Sequence, residues 1–372
     1  MKQSRGRGNN IIKPTNTPKT IQRLDISACI LAKNDENLIE DCIKSIKDYV
    51  KEIIVVDLGS TDATVTIARE YTSRIYRHIW NNDYGDARNT FLKYVSQDWV
   101  FYMDAHERLT PDSHKLLTPE FLDKKNAVAY MVKVNEMFQD KEVEIYSCRL
   151  FRRTKDIRFK WVIHESVTDD VQKVARKENL DIVRSELEIN RYNYLRYFDE
   201  SELHMELITI ARHGLENAKL EASIKAFYKL CLGLSLNAIG EKEDAEEEIA
   251  EVLEEIRKMD TKTVSSIPLF IQPFIFFAFK YSKQEKYEEA YKIMEEGVNI
   301  YPNSLTMLIR YCEVLFALNR YKDCLDHIAK IKMLEKDEKF YQLEPMDFTF
   351  IHRLSNKLEN LAYDRYEALL PE

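Results

Sequence analysis

The chain has 372 residues with only 8 glycines and 9 prolines, too few of either for collagen-like, low-complexity or turn-rich all-β protein. Apolar residues at 45% and aromatics at 11% are enough to fill real cores, and this length makes two domains the starting expectation. The formal net charge is −8, a poor match for a nucleic-acid backbone, so no nucleic-acid partner is expected.

The N-terminal stretch 1–24 holds Lys2, Arg5, Arg7, Lys13, Lys19 and Arg23 and no acidic side chain. It reads as a flexible basic arm. From Asp25 strands and helices alternate. ISACILA (26–32) is a short apolar run suited to a buried strand. A helix follows, with Asn34 or Asp35 as cap and Leu38, Ile39, Cys42, Ile43 and Ile46 on one face. EIIVVD (52–57) is a second buried strand, and LGSTDATVTIARE supplies a loop, a cap and a helix. WVFYMD (99–104) is a third strand, after which Thr110 and Pro111 open another helix. Such an order predicts an open α/β sheet with parallel members, whose ligands bind beyond the carboxyl ends of the strands. Between about 125 and 195 the pieces AVAYMVKV, EIYSCRLFRR and IRFKWVIHESV suit further strands and loops.

Beyond residue 198 helical stripes take over. EKYEEAYKIMEEGVNIYPNS (285–304) aligns with NRYKDCLDHIAKIKMLEKDE (319–338), placing Tyr287 opposite Tyr321 and Ala290 opposite Cys324, with an earlier copy around Ala245. A small residue at a repeated helix contact and Tyr301-Pro302 near the end of a repeat make this a TPR-like array of helix pairs. The expected organisation is therefore an arm over 1–24, an α/β domain over 25–197 and an all-α domain over 198–372. The six cysteines show no zinc or redox spacing, and no apolar leader is present. The longest apolar run, IPLFIQPFIFFAF (267–279), falls short of the roughly 20 residues a spanning helix needs. No transmembrane segment and a cytoplasmic setting are expected.

The strand ends carry AKND, DLGSTD and DAHE. Asp104 and His106 stand two apart at a strand exit, so a carboxylate and an imidazole can meet one divalent cation. A cation there can neutralise a diphosphate leaving group. A solvated loop before a helix is the bland alternative for the same residues.

Taken in order, ACILAKNDE, IIVVDLGSTDAT, WNNDYGDARN and WVFYMDAHE resemble the family 2 glycosyltransferases of GT-A fold, firmly over about 26–110 and more weakly to 190. The resemblance implies that Ala32, Lys33 and Asp57 face the nucleoside of a UDP-sugar, a turn aspartate being the alternative for Asp57. It implies that Gly59, Ser60 and Asp62 form a tight loop and helix cap, and that the Ala-Arg-Asn loop brings Arg88 to the base or diphosphate. For Arg88 the alternative is an ion pair with Asp83 or Asp86. Asp104 belongs to the metal signature with Mn²⁺ or Mg²⁺, and His106 departs from the usual second aspartate of that signature. In WVIHESV, Glu165 is the candidate base of an inverting transfer, with His164 as metal ligand or alternative base. Trp80, Tyr84 and Trp161 are candidates for a sugar or acceptor subsite, or for packing.

Such a domain followed by TPR-like helices resembles the glycocin peptide glycosyltransferases, the sublancin glycosyltransferase type. That implies hexose transfer to Cys or Ser of a bacteriocin precursor, a peptide partner in the helical groove, and a homodimer through the helical domain. Two other readings compete: transfer to a cell-envelope glycan or lipid-linked sugar, and a binding scaffold whose transferase domain has decayed.

Overall fold

A computed structural model describes residues 22–122, 126–138, 141–192, 200–216, 219–337 and 348–368. The expected arm up to residue 21 and the expected boundary at 197/198 lie outside the described residues. The N-terminal half is built on eight strands: β1 (Leu24–Ala32), β2 (Val50–Asp57), β3 (Ile75–Arg77), β4 (Trp99–Asp104), β5 (Glu107–Leu109), β6 (Ala127–Phe138), β7 (Lys141–Arg152) and β8 (Asp181–Arg191). They form one mixed sheet of order β3-β2-β1-β4-β7-β6-β8-β5. β1 runs parallel to β2 and β4, and β7 pairs antiparallel with β4 and β6.

Six helices surround this sheet: α1 (Ile39–Ile46), α2 (Thr64–Arg69), α3 (Tyr84–Leu92), α4 (Pro111–Leu116), α5 (Pro119–Leu122) and α6 (Thr168–Glu178). Both faces of β1 are buried, as its unbroken apolar run requires. Ile26, Ala28 and Ile30 join the α1 stripe Ile39, Cys42, Ile43 and Ile46 on one side, while Cys29 and Leu31 meet Ala87 and Phe91 of α3 on the other. The strand begins two residues earlier than expected, because the Leu24 amide already donates to the Tyr49 carbonyl.

Local readings are corrected in four places. Neither Asn34 nor Asp35 caps α1: Leu38 holds that position without a side-chain bond, and the Asp35 carboxylate instead accepts from the Lys33 amide. GDARN lies on α3 rather than in a loop, because Asp83 caps that helix by accepting from the Asp86 amide. WVIHESV is no strand; its only ladder contact among the described residues is the bridge Lys160↔Ser166. DIVRSELEINR forms β8, a strand not anticipated. The Thr110 cap and Pro111 start of α4 are as read.

Every regular element among the described residues of the C-terminal half is a helix. This half comprises α7 (Glu200–Leu215), α8 (Ala222–Ile239), α9 (Lys242–Lys258), α10 (Thr261–Ser265), a 3-10 turn at Pro268–Ile271, α11 (Gln272–Lys283), α12 (Tyr287–Ile300), α13 (Leu305–Ala317), α14 (Tyr321–Glu335) and α15 (Phe348–Glu367). Successive helices pack on one another through one core. Tyr287 and Tyr321 each open a helix, and Ala245, Ala290 and Cys324 are fully buried at equivalent points of α9, α12 and α14. The apolar run 267–279 supplies the 3-10 turn and part of α11, and no described helix is long and apolar enough to cross a membrane.

Candidate active site

The carboxyl ends of β1, β2 and β4 lie side by side, with Ala32 paired to Asp57 and Leu31 to Asp104. At Asp57 the loop chemistry is local. Its carboxylate accepts from the amides of Gly59 at 3.2 Å and Ser60 at 2.9 Å, closing a turn in which Gly59 takes a φ of 96°. Asp57 therefore acts as the turn aspartate weighed above, with both oxygens engaged. Lys33 points toward the helical half: its ammonium lies 3.7 Å from Glu206 of α7 and 5.0 Å from the Trp80 ring centroid. Ser60 and Asp62 serve the loop, accepting from the amides of Asn34 and Thr64 respectively.

Arg88 is the centre of the site. It is 5% exposed and makes neither of the ion pairs anticipated as its alternative. Its Nη2 donates to Asp104 Oδ1 at 2.7 Å and its Nε to Glu165 Oε1 at 2.5 Å. Nη1 is buried and has no hydrogen-bond partner among the described residues. A buried charged donor left open in this way is costly unless a ligand oxygen meets it. The aromatic faces of Tyr102 and Phe159 complete its surroundings, with centroids 5.1 and 5.9 Å from the guanidinium carbon.

Burial works to raise the Asp104 carboxyl, but Arg88, His106, Arg149 and Arg191 outweigh it and hold the group well below the ordinary carboxylate range. Asp104 is thus an anion at neutral pH. β4 ends at Asp104, so strand alternation does not extend to His106, which sits in the turn before β5. The two still line the same cavity. Among the described residues no three His, Cys, Asp or Glu side chains stand together as a metal-holding group, while Asp104, His106 and His164 all line the one cavity. His164 is exposed to the cavity; desolvation there lowers its basicity, and Arg191 adds to this against the opposing pull of Glu165.

Behind Asp104 lies a charged cluster that sequence reading missed. Glu107 is fully buried. It accepts from Arg149 Nη2 and from Arg191 Nε, both at 2.9 Å, and from the backbone amide of Asp104 at 2.9 Å. One carboxylate therefore ties together β5, β7, β8 and the exit of β4. Burial raises the Glu107 carboxyl, and Arg149 and Arg191 more than reverse this. The available signal was a charge inside apolar strand text, Arg149 in SCRLF, and an acid directly after the Asp-x-His motif.

Arg88, Asp104, Arg149, Glu165 and Arg191 line a cavity of about 390 Å³. Of the anticipated residues it contains Ala32, Arg88, Asp104, His106, His164 and Glu165, but not Lys33 or Asp57. Tyr84 and Trp161 also line it, whereas Trp80 packs against Tyr84. Its opposite wall comes from the helical half: Leu203, Leu207, Phe227 and Ile267–Leu269. One wall is thus ionic and the other apolar, and the space between them has the size and chemistry of a ligand site.

Residues 27–181 match the family model described as Glycosyl transferase family 2. A TPR repeat-containing protein of Synechococcus elongatus is 33% identical over 153 residues, 41% of this chain and 38% of its own length. The SPbeta prophage-derived glycosyltransferase SunS of Bacillus subtilis is 28% identical over 154 residues, 38% of this chain and 34% of its own. The lipopolysaccharide core biosynthesis glycosyltransferase LpsC of Rhizobium meliloti is 36% identical over 107 residues, 27% of this chain and 38% of its own. The chain thus spans little more than a third of the length of these relatives.

Proposed function

We propose that the chain, whose residues 27–181 match the model for Glycosyl transferase family 2, is an inverting hexosyltransferase. It moves a hexose from a UDP-sugar to a cysteine or serine of a peptide acceptor, such as a bacteriocin precursor, in the cytoplasm. The observation that carries this reading is Arg88, bridging Asp104 and Glu165 in one cavity with a third donor still open. An anionic diphosphate satisfies that donor, and a guanidinium suits phosphate oxygens.

Asp104 and His106, an ionised carboxylate and an imidazole on one cavity, would hold a Mn²⁺ or Mg²⁺ ion. When bound it supplies positive charge to the leaving group. Glu165 accepts the acceptor proton as sulfur or oxygen bonds to the anomeric carbon, and the carbon–oxygen bond to UDP breaks with its electron pair leaving on the diphosphate. Arg88 holds Glu165 in place for this step, and His164 is the alternative base. The apolar wall from the helical half supports a peptide acceptor, and the similarity to the glycosyltransferase SunS supports sugar transfer as the reaction. Transfer to a cell-envelope glycan is the second reading, favoured by the similarity to LpsC.

The test incubates the protein with UDP-glucose, Mn²⁺ and a precursor peptide bearing Cys and Ser. A hexose mass increment on the peptide, lost in Asp104→Ala, is the expected result. Hexose appearing only on a lipid or glycan acceptor would favour the second reading, and no nucleotide binding in the presence of metal would refute both.

A further inference from the structure

The segment that presents Glu165 is held in an unfavourable backbone shape. Trp161 has φ 70° and His164 φ 49°, left-handed values that a residue with a side chain keeps only where its surroundings impose them. Those surroundings come chiefly from the helical half. The Val162 amide donates to the Tyr228 hydroxyl at 3.1 Å, and Tyr228 is buried on α8. The Trp161 ring lies 4.8 Å from Phe227, and Phe227 meets the His164 ring edge-on at 6.3 Å. On the other side the Tyr84 amide donates to the Val162 carbonyl at 2.9 Å.

Two glycines make room for this arrangement. A Cβ on Gly85 would sit 2.5 Å from the Trp161 carbonyl oxygen, and one on Gly214 of α7 would sit 2.8 Å from both Tyr228 and Val162. The backbone of 161–164 is therefore clamped between α3, α7 and α8, and Ile163 is part of the helical core rather than of the sheet's.

We infer that Tyr228 and Phe227 are positioning residues for the transfer reaction, holding Val162 and His164 so that His164 and Glu165 face the cavity. The inference rests on the acceptor-side role proposed for those two groups. It gives the helical half a part in building the active centre, in addition to any acceptor it binds. Neither residue touches reacting atoms through this role. Tyr228 acts through a backbone amide, and Phe227 through the rings of Trp161 and His164.

The experiment uses the full chain as wild type and Tyr228→Phe, which deletes one oxygen and keeps the ring. Hydrogen exchange at residues 161–165 and steady-state turnover of UDP-glucose with Mn²⁺ are measured on each. Losing the single bond should speed exchange in 161–165 and lower kcat, each by about tenfold, with the KM for UDP-glucose changed less than about twofold. Should Tyr228→Phe fail to fold, Phe227→Leu is read in the same way. Unchanged exchange in 161–165 overturns the clamp, and faster exchange with kcat intact overturns the positioning role. A wild type that turns over no UDP-sugar refutes the proposed reaction instead, and the exchange comparison still decides the clamp.

Discussion

Arg88 concentrates the chemistry of the site into one side chain. Its planar fork reaches two carboxylates and keeps a donor for a third acceptor, a geometry an ammonium cannot reproduce. Arg88→Lys should therefore lower kcat by about 10²-fold while circular dichroism stays native; activity within a few-fold of wild type would remove Arg88 from the mechanism. Glu107 is a different case, because it meets two guanidiniums in a fully buried setting. Glu107→Gln leaves those charges short of a counterion and should cost about 3–5 kcal/mol in urea unfolding. His164 sets a pH dependence. Its folded pKa is depressed by desolvation in the cavity, with Glu165 opposing and Arg191 assisting, so the unfolded chain takes up the proton before the folded one as pH falls. Stability from this source is present above the ordinary histidine value of about 6.5 and is lost below it. Urea midpoints at pH 7.5 and 5.5 should thus fall more for wild type than for His164→Gln, and equal falls would contradict the assignment.

At the scale of elements, the apolar text of β1, β2 and β4 was enough to place them, because a strand buried on both faces has no polar side to disguise it. The stripe of α1 was equally legible, and all five of its apolar positions are buried. Segments whose shape depends on distant partners were not. The Ala-Arg-Asn loop that the family resemblance implies is instead a helix, which Asp83 caps. IRFKWVIHESV reads as strand and loop, with His164 and Glu165 after the strand, yet Trp161 and Val162 there lie outside any strand and meet Phe227 and Tyr228. In the helical half the repeated small position is a fully buried helix contact. Ala290 is fully buried on α12, so Ala290→Leu should destabilise by about 1–3 kcal/mol through overpacking. Cys324→Ala at the equivalent point of α14 keeps a small side chain and should cost less, and thermal melts of the two variants compare them directly.

For the molecule as a whole, the cavity has one wall from each half, so a ligand filling it binds a surface that exists only when both are folded and docked. UDP with Mn²⁺ at about 100 times its Kd should add about 2.7 kcal/mol to that state. Scanning calorimetry should then show the helical half melting at a higher temperature together with the sheet. Stabilisation confined to an early transition, with a separate helical melt unmoved, would argue that the halves act independently.

The sequence by itself determined the α/β order of the first half, the helical repeats of the second, and the strand ends where the chemistry gathers. Each of these is written in local periodicity and in short motifs whose residues touch near neighbours in the chain. Only the tertiary structure decided which motif residues share a site. Asp57 closes its own turn and Lys33 turns to Glu206, while Arg88 reaches across to Asp104 and Glu165. It also decided that Arg149 and Arg191 converge on Glu107, and that α8 shapes the loop before Glu165. These are long-range contacts between buried charges and a backbone under strain. Their energies depend on burial and geometry that no window of sequence contains.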